Sequence, residues 1–499
     1  MGRLRSDQMR ARALCPVDIH PSLLVGSTLL CRVYPIAMPP MITQKTESAP
    51  SYRPAAGPRI LLISPRGPLY RHRGGTWTKS LRYPPLTLTT LAALIPQELN
   101  ATVALVDEGI AEIDLDAEAD LIGISAITGT APRSYELAAH FRSRGIPVVL
   151  GGVHPTLLPE EAVQHADSVV VGYAEDSWPQ LLRDFVVGRM QPRYDQQPGL
   201  SLADRPFPRR EMLGGRRNFA IGHTIEATRA CVHSCDFCVV PSAWGRKPFQ
   251  HPVADVVADI RQMGAKRLLF LDLNLIADVA YAKELFTALA PLKIQWGGLA
   301  TVGIVWDEEL LDLCAKSGCK GLLIGFETLN ADALHETRKG FNLHTDYREV
   351  VLRLHERGIG IQGTFVFGFD SHNADAFAET AEFAIDANID LPRYAVLTPF
   401  PGTPLFRRLK EEGRILSEDW TLYDGQHVVY QPQQMTPDAL LRGTEWAWKK
   451  TYSYASIAKR LLSSRILLPL ALAGNLGYRF YAHNLHKYYT CDWRLATGD

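Results

Sequence analysis

From Arg59 onward, short runs of consecutive apolar residues alternate with stretches whose apolar positions recur every three or four residues. RILLISP (59–65), ATVALVDE (101–108), ADLIGISAIT (119–128), PVVLGGVHP (147–155) and DSVVVGYAE (167–175) read as strands. TLTTLAALIPQEL (87–99), SYELAAHFRSRG (134–145) and SWPQLLRDFV (177–186) have helical spacing. Continuously apolar strands separated by amphipathic helices predict a parallel sheet buried on both faces. The α/β pattern over 58–187 is therefore a doubly wound, Rossmann-like domain, whose ligands belong beyond the carboxyl ends of its strands. A Pro- and Arg-rich stretch without periodicity occupies the linker, 188–218.

A second alternating series fills 219–415. Its expected strands are HTIEATRA (223–230), RLLFLDLN (267–274), KIQWGGLAT (293–301), GLLIGFET (321–328), GIQGTFVFGF (360–369) and LPRYAVLTPF (391–400). Six β/α units in succession predict an open or partial (β/α)6 barrel, with its active site on the loops that follow the strands. Residues 416–499 read as a C-terminal helical extension. Its aromatic residues Trp446, Trp448, Tyr452 and Tyr454 either cover the barrel mouth or pack on the barrel. Pro469 and Gly474 interrupt the apolar face nearby and favour packing.

Residues 1–57 carry Arg3, Arg5, Arg10 and Arg12 ahead of a short apolar run. They read as a disordered leader, or as sequence upstream of a start at Met38 or Met41. No segment reaches the roughly 18 uninterrupted apolar residues of a membrane span. The stretch 465–481 suggests peripheral membrane contact through the extension. Lys+Arg and Asp+Glu both number 53, so bulk electrostatics give no support to nucleic-acid binding. The eight cysteines are too few and too clustered for a disulfide framework, which points to a reducing cytoplasm.

The chemistry concentrates in EATRACVHSCDFCVVPSAWG (226–245), directly after the first barrel strand. Cys231, Cys235 and Cys238 form a Cys-x3-Cys-x2-Cys loop. A structural zinc site wants four ligands, usually as two separated pairs, and no second pair exists; Cys314 and Cys319 read as buried apolar thiols. Three thiolates can instead hold three irons of a [4Fe–4S] cube and leave the fourth iron open to a ligand.

This motif and its position resemble the radical S-adenosylmethionine (SAM) superfamily. The resemblance implies that the cysteines hold the cluster and that SAM chelates the open iron. An electron from the cluster then cleaves SAM to a 5′-deoxyadenosyl radical. Phe237 matches the aromatic residue usual before the third cysteine. IGFET implies that Glu327 and Thr328 touch SAM. Asp272 and Asn274 end the second strand, where the family contacts the SAM amine. TPFPGTPL, with Pro401, Gly402 and Thr403, resembles the family's last-strand turn.

The first domain resembles the cobalamin-binding domain found in some members of that family. Ser125, Thr128, Gly151 and Gly152 would line the nucleotide tail. His154 would face the corrin or brace its own loop through a hydrogen bond. The Asp-x-His-x-x-Gly signature that supplies a histidine to cobalt is missing, and LRYPPLTLTT stands in its place. GYAE (172–175) departs from the acidic GEGE usual there, and Glu175 reads as an acid favoured by a helix N-terminus.

Together these resemblances imply a cobalamin-dependent radical SAM enzyme, a C-methyltransferase acting on an unactivated carbon of a natural product or lipid-like substrate. Its cofactors would be a [4Fe–4S] cluster, SAM and cobalamin, with two SAM molecules used per turnover. The implied partners are a small molecule, such as a hopanoid or tetrapyrrole, and a reductant such as flavodoxin or ferredoxin. The alternatives are an oxidative cyclase resembling the anaerobic magnesium-protoporphyrin ester cyclase, and a non-catalytic cobalamin or redox sensor.

Overall fold

A computed structural model describes residues 57–67, 83–213, 219, 221–464, 466 and 468–485. The expected leader lies outside the described residues.

Six strands form the first sheet: β1 (Arg59–Ser64), β2 (Thr102–Asp107), β3 (Leu121–Ser125), β4 (Val148–Gly151), β5 (Ser168–Val171) and β6 (Arg193–Asp195). All pair in parallel, in the order β2-β1-β3-β4-β5-β6. The register sets Ile60 beside Val103 on one side and Leu121 on the other. Alternate residues of β1 feed two cores. Ile60 and Leu62 pack with Trp178, Leu181 and Leu182. Leu61 and Ile63 pack with Leu137, Ala138 and Phe141. Burial on both faces explains why β1 and β3 are apolar without alternation. The order reverses at β1, and the crevice beyond the carboxyl ends of β1 and β3 is where such a sheet takes a ligand. The edge strand β6 falls inside the stretch read as a linker. With Tyr194 buried between exposed Arg193 and Asp195, it carries too few apolar residues to stand out.

The chain then builds β7 (Thr224–Ile225), a short antiparallel pair β8 (Thr228–Arg229) and β9 (Phe249–Gln250), β10 (Arg267–Phe270), β11 (Gln295–Ala300), β12 (Cys319–Glu327), β13 (Gly360–Phe367) and β14 (Arg393–Val396). The second sheet is wholly parallel and ordered β14-β13-β12-β11-β10-β7, six strands in sequence, as the β/α alternation predicted. Its helices start on polar caps just past the strands. Asp278 accepts from Tyr281 N, Asp307 from Leu310 N and Asn330 from Ala333 N. Such caps each hold a helix start by about 1 kcal/mol and fix where the preceding loop must end.

The start of the extension meets the carboxyl ends of β13 and β14, where Gly425 N donates to Thr398 Oγ1 at 3.1 Å and the Tyr430 hydroxyl to Gly368 O; its helices pack against the amino-terminal approaches to the same strands. Trp448 Nε1 donates to Tyr394 O at 3.2 Å, and the Tyr452 hydroxyl donates to Pro392 O at 2.7 Å. Buried Arg460 donates to the carbonyls of Ile389, Asp390 and Thr451. The aromatic residues Trp448 and Tyr452 are thus core; Trp446 and Tyr454 face solvent. Among the described residues, no helix is long and apolar enough to cross a membrane.

Candidate active site

The cysteine loop is held by backbone bonds from three directions. Asp236 N donates to Thr337 O at 3.2 Å, Leu405 N donates to Asp236 O at 3.2 Å, and Cys238 N closes the loop onto Cys235 O at 3.2 Å. Cys238 then caps the helix Val239–Trp244. Ahead of the loop, Ala230 takes a left-handed φ of 65°, which turns the chain from β8 into Cys231. All three thiols are free and partly buried. Burial raises the Cys238 thiol pKa and pushes the Cys235 pKa up to about 12, with the Lys339 ammonium acting in the opposite sense. Among the described residues, no three His, Cys, Asp or Glu side chains converge as the ligands of one ion do. The thiolates of a cube each hold a different iron, so the loop fits a cluster better than a single zinc.

The strand ends around the loop carry the other expected residues. Asn274 is buried, and its Nδ2 lies 3.8 Å from Cys231 Sγ. Asp272 is fully buried, with its carboxylate turned to the backbone N–H groups of Ala227 and Thr228. Burial, and then the nearby Glu226, raise its pKa to about 7. It braces the approach to the cysteine loop, turned to the backbone of β8 and the residue before it. Glu327 sits at an irregularity between β12 and β13, with φ of 66°. Its carboxylate pairs with Lys339, whose Nζ also donates to Gly325 O at 3.0 Å. Thr328 is buried, 2.8 Å from His372 Nε2. Phe237 lies 6.1 Å from Phe369, and His233 stacks on Phe341 at 3.8 Å. Thr403 caps the helix Pro404–Glu411, and Gly402, at φ of 76°, abuts Leu157 of the first domain.

Opposite this loop, a cavity of about 440 Å³ opens between the carboxyl ends of the two sheets. Ser125, Gly151 and Gly152 line it from the first sheet, and Val240, Trp244 and Leu273 from the barrel. Gly152 has φ of 101°, and an added Cβ would stand 2.6 Å from Ala126 O. The glycine therefore lets the backbone close on the ligand space. Two of the expected residues lie away from this lining. Thr128 is buried in the turn after β3 and is not among the residues that line the cavity. His154 is fully buried behind its helix, with Nε2 3.0 Å from the Tyr135 hydroxyl and 3.3 Å from Glu161 Oε1, so it braces the loop. Glu161 also accepts from Trp420 Nε1 at 3.0 Å, tying the first domain to the extension.

Glu175 stands one residue ahead of Asp176, the N-cap of the helix Ser177–Val186. Its carboxylate pairs with Arg229, just before the cysteine loop. Tyr173 stacks on Trp244 at 5.3 Å, with Arg229 over its ring at 4.9 Å. Sequence reading missed Arg229, Tyr173, Trp244 and Lys339. Each acts across a distance in sequence that no local motif spans.

Comparison with known proteins agrees with this layout. The B12 binding domain model matches residues 81–182, and the Radical SAM superfamily model matches 225–384. Over 352 residues the chain is 32% identical to the bacteriochlorophyllide d C-12(1)-methyltransferase of Chlorobaculum tepidum, covering 68% of this chain and 76% of that one. This chain belongs to the cobalamin-dependent radical SAM family. The bacteriochlorophyllide d C-8(2)-methyltransferase of the same organism is 28% identical over 399 residues, 76% of this chain and 87% of that one. The radical SAM methyltransferase TsrM from Kitasatospora setae, solved with cobalamin and a [4Fe–4S] cluster bound, shares the fold. Its TM-score is 0.60 at 18% identity, over 87% of this chain and 98% of that chain. As a family member, the chain is a radical SAM enzyme that uses a [4Fe–4S] cluster, SAM and cobalamin. The sensor reading falls away.

Proposed function

We propose that this enzyme methylates an unactivated carbon of a tetrapyrrole of the chlorin type. One observation carries the reading. Ile127 and Leu273 line the cavity from opposite domains, yet they are 55% and 43% exposed. Large apolar side chains left open on a cavity between two domains favour an apolar guest beside the cofactor. The two bacteriochlorophyllide methyltransferases among the relatives act on guests of that class.

When bound, the cluster and SAM supply radical initiation, and cobalamin supplies the methyl group. Cys231, Cys235 and Cys238 would hold the cluster. Asn274 stands over the first of these thiols, and Glu327 and Thr328 flank the space where SAM would lie. Ser125, Gly151 and Gly152, which line the cavity, would hold cobalamin there. Leu273, in the loop after β10, lines the cavity and would help to exclude water from the reacting carbon. A flavodoxin or ferredoxin would serve as reductant.

The test is anaerobic incubation of the reconstituted enzyme with trideuteromethyl SAM, a reductant and a bacteriochlorophyllide, followed by mass spectrometry of the pigment. A product in which trideuteromethyl replaces hydrogen is expected. An oxidised product without label would point to ring closure and overturn the proposal.

A further inference from the structure

Glu175, one of the residues that line the cavity, has a carboxylate oxygen with no hydrogen-bond partner. Glu175 follows β5 and is 4% exposed. One of its oxygens is taken by Arg229. The other, Oε2, is buried without a hydrogen-bond partner. Arg229 is shared between two carboxylates, since its Nε also donates to Glu226 at 2.6 Å, and its guanidinium lies over Tyr173. Two carboxylates around one guanidinium leave a formal charge of −1 at the cavity wall. All three residues line the cavity. Such a wall accepts a neutral N–H donor and rejects a second acid.

Cobalamin presents that chemistry. The rim of the corrin carries primary carboxamides, each with two N–H donors. We propose that Glu175 Oε2 accepts a hydrogen bond from one carboxamide of the corrin rim and so fixes the ring's rotation in the cavity. The proposal rests on placing cobalamin in this cavity. Through Arg229 the same side chain holds β8, two residues ahead of Cys231. One carboxylate would therefore set the position of the ring and of the cysteine loop together. Glu175 also borders a second cavity of about 40 Å³ lined by Pro206 and Arg210, and a water there is the competing partner for the free oxygen.

The probes that separate these outcomes are cobalamin and its monocarboxylates, each with one ring carboxamide hydrolysed to the acid. Binding to the corrinoid-free full chain is followed by absorbance. One isomer is expected to bind about tenfold or more weakly than cobalamin, because its acid meets the Glu175 carboxylate. Glu175→Gln should remove most of that difference. Glu175→Asp, which keeps a carboxylate near Arg229 but draws it back from the cavity, should weaken the discrimination and serves if the first variant folds poorly. If every isomer binds the wild type as cobalamin does, or if the deficit survives in the variants, the proposal is overturned. Failure of cobalamin itself to bind would overturn the cavity assignment along with it.

Discussion

Replacing Gly152 by alanine tests how tightly the first domain is built around its ligand space. Gly152 has φ of 101° and ψ of −171°, a region that residues with a Cβ scarcely enter. Holding alanine there costs roughly 1–3 kcal/mol. The new Cβ would also stand 2.6 Å from Ala126 O, 2.9 Å from Ala126 N and 3.0 Å from Ser125 Oγ. Two of these contacts are backbone, so relief means parting the ends of β3 and β4, at roughly a further 1–3 kcal/mol. The sum is about 2–6 kcal/mol against a total stability of about 5–15. Because Ser125 and Gly152 are themselves cavity wall, the displacement should also weaken cobalamin binding by about tenfold or more. Gly151→Ala is the control. Its Cβ would meet only Val170, at 3.7 Å and 3.8 Å, and the variant should stay within about 0.5 kcal/mol of the wild type. Anaerobic thermal unfolding and cobalamin titration read both effects. A Gly152→Ala protein that melts and binds as the wild type does would refute the reasoning.

Lys339→Met should destabilise by roughly 1–3 kcal/mol, because it leaves the partly buried Glu327 carboxylate unpaired. Adding Glu327→Gln should recover most of that loss in denaturant unfolding. Asp272 gives a pH signature. Its folded pKa of about 7 lies above the ordinary value of 3.8, so the folded state binds the proton more tightly. The contribution of this group is full below about pH 3.8 and is lost as pH rises through 7, and Asp272→Asn should flatten melting temperature against pH across that window.

The sequence made some of this structure legible and hid the rest for physical reasons. Strands buried on both faces announce themselves, so β1, β3, β12 and β13 fall where their apolar runs lie. The three-residue strand β6 buries one tyrosine and does not. The cysteine loop is local, and its spacing carries its chemistry. Asp272 and His154 sit at strand ends or turns where ligands bind, but the Asp272 carboxylate is taken by Ala227 and Thr228, and His154 Nε2 by Tyr135 and Glu161. Spacing cannot tell a spent side chain from a free one. The pairing of Glu175 with Arg229 spans 54 positions and appears only when the two sheets are set end to end.

Metal and corrinoid analysis of the anaerobically prepared protein, beside a variant with Cys231, Cys235 and Cys238 all changed to alanine, bears most directly on a cluster loop facing a cobalamin cavity. The wild type should carry about four irons per chain and bind one cobalamin. The variant should lose the iron and keep the corrinoid. Zinc in place of iron in the wild type, or iron retained by the variant, would contradict the account.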